Sequence, residues 1–124
     1  MAKPSVIYFG RSDDSILLVV RMLNVAGFEV IYAYHDQEIP EQIKKQPQPA
    51  LILIDDINTV AQVNKYAKLK SNPVTTQIPL IVITRPGLLP QDMLDALGAD
   101  QYILKPINPK QLEEMLQHYL ARSE

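Results

Sequence analysis

The sequence predicts a single α/β domain in which a five-stranded parallel sheet is covered by helices on both faces. Short apolar runs alternate along the chain with segments whose apolar residues recur at helical spacing. The run Leu51-Ile52-Leu53-Ile54 is apolar at every position, which is typical of a central strand buried on both sides. The 124 residues suit one domain, 1–124, and no linker or internal repeat divides them.

The predicted strands are short and rich in β-branched or aromatic residues. They cover residues 6–9, 28–33, 51–54, 80–84 and 102–104. Five helices are predicted, at about 12–26, 40–45, 58–70 and 90–98, and from Asn108 to the end of the apolar stripe near Leu120. Because parallel crossovers are right-handed, this alternation favours a doubly wound, flavodoxin-like sheet with strand order 2-1-3-4-5.

The residues at the helix ends support these boundaries. Gly27 and Gly98 follow predicted last turns, where a left-handed residue is common. Asn58 and Asn108 are predicted N-caps, and Pro109 suits a first helical position.

Composition excludes several classes of function. A net charge of -2 and a pI near 5.6 provide no basic surface for direct nucleic-acid binding. The absence of cysteine excludes disulfides and thiolate metal sites. No apolar run approaches the roughly 20 residues that span a bilayer, and the first residues do not form a signal peptide. We therefore expect a cytoplasmic protein without membrane contact.

Polar residues follow the predicted strands at one edge of the sheet. Asp55 follows the third strand, Thr84 ends the fourth and Lys105 follows the fifth. Since the carboxyl ends of parallel strands share an edge, these three side chains are expected to converge. A carboxylate, a hydroxyl and an ammonium suit phosphoryl transfer to the carboxylate. By spacing alone, an ordinary ion pair between Asp55 and Lys105 is an equally good interpretation.

Three segments give the chain its resemblance to a known family. Read as LILID, IPLIVIT and GADQYILKP, residues 51–55, 78–84 and 98–106 resemble the receiver domains of two-component response regulators. The resemblance extends over nearly the whole chain and includes residues 27–30, before the second strand.

The resemblance implies a role for each residue at this edge. Asp55 would accept a phosphoryl group from a histidine kinase or phosphotransfer protein, Thr84 would contact that group, and Lys105 would stabilise its charge. Tyr102 would be the aromatic switch that moves with Thr84, and the Lys105–Pro106 bond would be cis. Such a domain is not an enzyme beyond its own phosphorylation and dephosphorylation.

The sequence departs from the family around the metal site. Receiver domains carry two acidic residues after the first strand, which hold magnesium, whereas this chain has Gly10 and Arg11 there. If magnesium binds, Asp55 and Asp13 are its candidate ligands, although Asp13 is more simply a helix cap. Arg11 could pair with Asp55 in place of the cation.

The segment after the third strand also differs from the family. The loop after Asp55 lacks the family's Met-Pro pair and glycine. Asp56 should point away from Asp55, because neighbouring strand residues face opposite sides.

Two functions therefore stay open. One is a phosphorylatable receiver that switches a protein-interaction surface. The other is an atypical receiver that binds partner proteins without magnesium-dependent phosphorylation. A flavin or nucleotide enzyme is disfavoured because residues 10–13 form no glycine-rich phosphate loop. Either receiver would act on an effector protein, with dimerisation through the fourth helix, fifth strand and fifth helix as an option.

Overall fold

The computed structural model describes residues 3–10, 14–34, 39, 41–45, 48–57, 59–85, 87 and 89–123; at 14–16, 41–42 and 122–123 only the backbone is described. The strands are β1 (Ser5–Gly10), β2 (Glu29–Tyr34), β3 (Leu51–Asp55), β4 (Leu80–Thr84) and β5 (Gln101–Leu104). The α-helices are α1 (Asp14–Ala26), α2 (Val60–Ser71), α3 (Gln91–Leu97) and α4 (Pro109–Ser123).

The sheet confirms the predicted topology. All strand pairs are parallel and the order is β2-β1-β3-β4-β5. β3 lies in the middle of the sheet, and all five of its residues are buried. The apolar run that predicted a strand covered on both faces therefore does occupy the centre.

The prediction of five α-helices is wrong, because the described chain forms four and one short 3-10 turn. The segment predicted as the second helix contains only the turn Glu41–Lys44. Pro40 and Pro47 bracket this segment, and a proline disfavours helical backbone in the residue before it. A single turn is enough to bury Ile43 completely. In the part of the chain that is described, no helix is long and apolar enough to span a bilayer.

Two apolar layers cover the sheet, and strand alternation divides the residues between them. Ile7 and Ile54 face the layer that contains Tyr66 of α2 and Leu97 of α3. Val6, Tyr8 and Leu53 face the opposite layer, which is completed by side chains of α1 and α4. The latter include the predicted stripe of α4, namely Leu112, Met115, Leu116 and Tyr119, with Leu120 partly buried beside it.

The ends of the helices largely follow their predicted signals. At the end of α1, Gly27 has φ 108°, its N–H donates to Asn24 O, and the N–H of Phe28 donates to Leu23 O. This is the double hydrogen bond of a glycine-ended helix. Asn108 caps α4, because its Oδ1 accepts from the N–H groups of Lys110 and Gln111.

The cap of α2 differs from the prediction by one residue. Thr59 has extended backbone, and its Oγ1 accepts from the N–H of Gln62 at 3.1 Å. A threonine hydroxyl satisfies a first-turn donor as an asparagine would. The predicted cap, Asn58, lies outside the described residues.

Candidate functional site

The carboxyl edge of the sheet brings the predicted site residues together. β3 ends at Asp55 and β4 at Thr84, while Lys105 follows β5. The Nζ atom of Lys105 lies 2.9 Å from Oδ1 of Asp55. The backbone N–H of Lys105 donates to Thr84 O at 2.8 Å, so Thr84 lies at the same edge. Parallel pairing has therefore brought the three residues to one edge, where Lys105 contacts Asp55 through its side chain and Thr84 through its backbone.

Lys105 pairs with two carboxylates. Its Nζ is also 2.9 Å from Oδ1 of Asp56, so one ammonium lies between two acidic side chains. All three side chains are largely buried, with exposed fractions of 12% for Lys105, 3% for Asp55 and 10% for Asp56. Burial alone would lower the pKa of Lys105, but hydrogen bonds and charge attraction from both aspartates outweigh it and raise that pKa.

The position of Asp56 contradicts the prediction that it points away from Asp55. Strand β3 ends at Asp55, and Asp56 adopts a left-handed backbone with φ 58°. Strand alternation no longer applies beyond that point, so both carboxylates contact the same ammonium. Aspartate tolerates this backbone better than most residues other than glycine. Nothing in the sequence at Asp55 and Asp56 predicts that the backbone turns at the second of them.

Tyr8 is a site residue that the sequence did not reveal. Its hydroxyl donates a hydrogen bond to Oδ2 of Asp55 at 2.5 Å. Tyr8 pairs with Leu53 in the sheet, and Asp55 is the next residue of β3 on the same face. The ring is long enough to reach from the core to the carboxyl edge. In sequence it was indistinguishable from the other buried residues of β1.

Gly10 leaves room for this ring. A Cβ atom added at Gly10 would lie 2.7 Å from Cε1 of Tyr8 and 3.3 Å from its Cζ. Real Cβ atoms essentially never approach another heavy atom within 3.0 Å. The end of β1 therefore combines a residue without a side chain with a tyrosine that fills the adjacent space.

Three tyrosines form a continuous array beside Asp55. The rings of Tyr8 and Tyr32 are stacked, with centroids 5.7 Å apart and planes inclined by 24°. The rings of Tyr32 and Tyr34 meet edge to face, with centroids 4.8 Å apart, and Tyr34 is exposed. The array supports the ring of Tyr8 on the side of β2.

Tyr102, the predicted switch residue, is half-buried next to α3. Its hydroxyl donates to Leu94 O at 2.5 Å. Burial and the nearby charge of Asp95 raise the pKa of Tyr102. The Lys105–Pro106 bond is cis, as the resemblance implied.

Magnesium fits the described residues poorly. Gly10 offers no side-chain oxygen where the family has an acidic ligand. The carboxylates of Asp55 and Asp56 are both paired with Lys105, and Oδ2 of Asp55 accepts from Tyr8. The described residues contain no group of three or more histidine, cysteine or acidic side chains arranged to hold a metal ion. Arg11 and Asp13, for which an ion pair and a ligand role were considered, lie outside the described residues.

Comparison with known proteins identifies relatives of the chain. It is 30% identical over 108 residues to the phosphate regulon transcriptional regulatory protein PhoB of Pseudomonas aeruginosa, covering 86% of this chain and 47% of PhoB. It is 30% identical over 123 residues to the probable transcriptional regulator ycf27 of Porphyridium aerugineum, covering 98% and 50%. The chain thus spans about half the length of the curated relatives it matches. No family model matches it.

The solved structures agree with the curated relatives. A protein of Chloroflexus aurantiacus described as a response regulator superimposes with a TM-score of 0.73 at 26% identity, over 97% of this chain and all of that one. The fold, the strand order and the residues at the carboxyl edge agree with these similarities. These similarities, together with the fold, support a receiver domain of the two-component response-regulator kind.

Proposed function

We propose that this chain is an atypical receiver, which signals by contacting partner proteins and does not require magnesium-dependent phosphorylation of Asp55. The observation that carries the proposal is that the carboxylate of Asp55 is buried and that both of its oxygens already have partners. Oδ1 is paired with Lys105, Oδ2 accepts from Tyr8, and only 2% of the residue is exposed. The oxygen that attacks phosphorus would first have to be released from its partner, Lys105 for Oδ1 or Tyr8 for Oδ2.

The charge of the site supports the same function. Phosphoryl transfer needs positive charge near the incoming group, and a bound metal usually provides much of it. Here the ammonium of Lys105 is already shared by two aspartates. A dianionic phosphoryl group would meet the additional negative charge of Asp56. We expect this repulsion to disfavour the acyl phosphate in the absence of the acidic metal-binding pair.

A phosphorylatable receiver is the second candidate, and Thr84 favours it. Its Oγ1 is buried and has no hydrogen-bond partner among the described residues. An orphan hydroxyl is costly, and a phosphoryl oxygen on Asp55 would be a suitable acceptor for it. In this candidate, Asp55 receives the group from a histidine kinase or phosphotransfer protein, and Thr84 and Tyr102 respond by moving.

Incubation with acetyl phosphate and magnesium, followed by intact-mass measurement, separates the two functions. We expect no phosphoryl adduct on the wild type, and none on the Asp55→Asn variant. A receiver domain that carries the acidic pair serves as the positive control for the donor. An adduct that forms on the wild type and is absent from Asp55→Asn would overturn the proposal in favour of the phosphorylatable receiver.

The proposed output is protein binding. Relatives of this chain are named as transcriptional regulators, and the chain spans only about half of their length. We propose an effector protein as the partner and the cytoplasm as the location. The face formed by α3, β5 and α4 is the proposed contact surface, where Tyr102 is held against Leu94. Dimerisation through this face is an additional option.

A further inference from the structure

We infer that Tyr8 and Gly10 act as a pair that closes the cation site of this receiver, with the tyrosine hydroxyl serving as a built-in partner for Asp55. The inference rests on the proposed function, since it names the residues that would make the site independent of magnesium. Tyr8 is a positioning residue, because it acts by fixing the carboxylate.

Glycine at position 10 leaves space for the ring of Tyr8. Any residue other than glycine would place its Cβ 2.7 Å from Cε1 of Tyr8. The positive-φ glycines are Gly27, Gly87 and Gly98, so Gly10 is not required for its backbone conformation. A glycine in a strand also weakens that strand by its entropy cost. The ring of Tyr8 therefore explains why a glycine occurs at this position.

Asp55 is the polar partner of Tyr8. Tyr8 is fully buried, and a buried phenol normally requires a hydrogen-bond acceptor. Its hydroxyl donates to Oδ2, whereas the ion pair with Lys105 is made by Oδ1. A metal ion that approached Oδ2 from the side occupied by the ring would have to displace the hydroxyl and leave the phenol buried without this bond. The tyrosine thereby competes directly with a divalent cation.

Steric coupling is tested by placing Gly10→Ala in two backgrounds. In the wild type, the added methyl meets the ring, and we expect the Tm to fall by roughly 5 °C or more. In the Tyr8→Val background the space is open, so Gly10→Ala should leave the Tm unchanged or raise it. Equal effects of Gly10→Ala in the two backgrounds would overturn the steric pairing.

Cation exclusion is tested by titration with Mn²⁺, followed by water-proton relaxation. We expect no saturable binding to the wild type, and none to Gly10→Asp, in which the new side chain competes with the ring of Tyr8 for the same space. Tyr8→Val/Gly10→Asp offers two neighbouring carboxylates and should bind with a Kd on the order of 1 mM or tighter. Adding Asp55→Asn to this double variant should weaken binding by about tenfold or more, because a charged ligand is lost.

The hydrogen bond from Tyr8 to Asp55 is tested separately, by nuclear magnetic resonance. Tyr8→Phe removes only the hydroxyl, and we expect it to change the carboxyl ¹³C chemical shift of Asp55. Tyr66→Phe is the matched control, because Tyr66 packs on the opposite face of the sheet. An unchanged Asp55 signal in Tyr8→Phe would overturn the polar part of the inference.

These outcomes are separable from those of the proposed function. If the double variant is folded by circular dichroism and binds no Mn²⁺, or if the wild type binds as tightly, the closure by Tyr8 and Gly10 is refuted. A wild type that excludes Mn²⁺ yet forms the Asp55 phosphoryl adduct would refute the proposed function and leave this closure standing.

Discussion

Lys105 lies with its Nζ 2.9 Å from Oδ1 of Asp55, although β4 separates the two strands that lead to these residues. Because a second carboxylate, that of Asp56, contacts the same ammonium, removal of Lys105 leaves two buried negative charges without their shared partner. The stability of the domain and the state of its site therefore depend on one side chain.

Replacement of Lys105 by methionine should destabilise the domain. Because both buried carboxylates lose the cation that they share, we expect the free energy of unfolding to fall by about 3 kcal/mol. Urea denaturation at pH 7 measures this loss. Lys110→Met, at an exposed position of α4, is the control and should change the free energy by less than about 0.5 kcal/mol. If Lys105→Met lowers the free energy of unfolding no more than Lys110→Met does, the ion pairs of Lys105 with Asp55 and Asp56 do not stabilise the domain.

The contribution of Lys105 should disappear at alkaline pH. Its pKa is raised above the ordinary 10.5, so the folded protein retains a proton that the unfolded chain releases. The stabilisation is therefore complete below pH 10.5 and declines as pH rises through the folded-state value. Denaturation of the wild type and Lys105→Met between pH 8 and about pH 11 should show the two converging. A difference that widens with pH would refute this sign.

Thr84→Val should stabilise the domain in the absence of phosphorylation. The change keeps the shape of the side chain and removes a buried hydroxyl that has no partner among the described residues. We expect a gain of about 1 kcal/mol in the free energy of unfolding. Thr75→Val is the matched control, since Thr75 is equally buried and its hydroxyl donates to Leu69 O at 2.6 Å. That variant should lose about 1 kcal/mol.

Leu53→Ala tests the central strand. Leu53 is fully buried in the layer between the sheet and helices α1 and α4, so truncation leaves a cavity. We expect a loss of about 3 kcal/mol in the free energy of unfolding. Leu17→Ala, in α1 at 71% exposure, should change stability by no more than about 0.5 kcal/mol. Equal losses in the two variants would show that β3 is not the centre of the core.

The sequence predicted the sheet and the main site residues because both depend on local patterns. Apolar runs define buried strands, and parallel pairing brings the residues after them to one edge. Asp55, Thr84 and Lys105 lie at one edge of the sheet for this reason. The predicted second helix between Pro40 and Pro47 was wrong, because the described residues there, 41–45, form one 3-10 turn, Glu41–Lys44.

The contacts that distinguish this site were not visible in the sequence. Asp56 joins the cluster because its φ is positive, and no propensity argument predicts that for an aspartate after a strand. Tyr8 reaches Asp55 because its length exceeds that of an aliphatic side chain, and Gly10 provides the necessary space. Both depend on three-dimensional distances between residues far apart in the chain.

The tyrosine array also determines how the protein can be observed. The chain has no tryptophan and six tyrosines, so its near-ultraviolet absorption and emission come mainly from phenol rings. Three of these rings lead from Asp55 to the surface, through Tyr8, Tyr32 and Tyr34. A change at the carboxylate would thus alter the intrinsic fluorescence of the unlabelled domain, and events at this site could be followed in solution without introducing a probe.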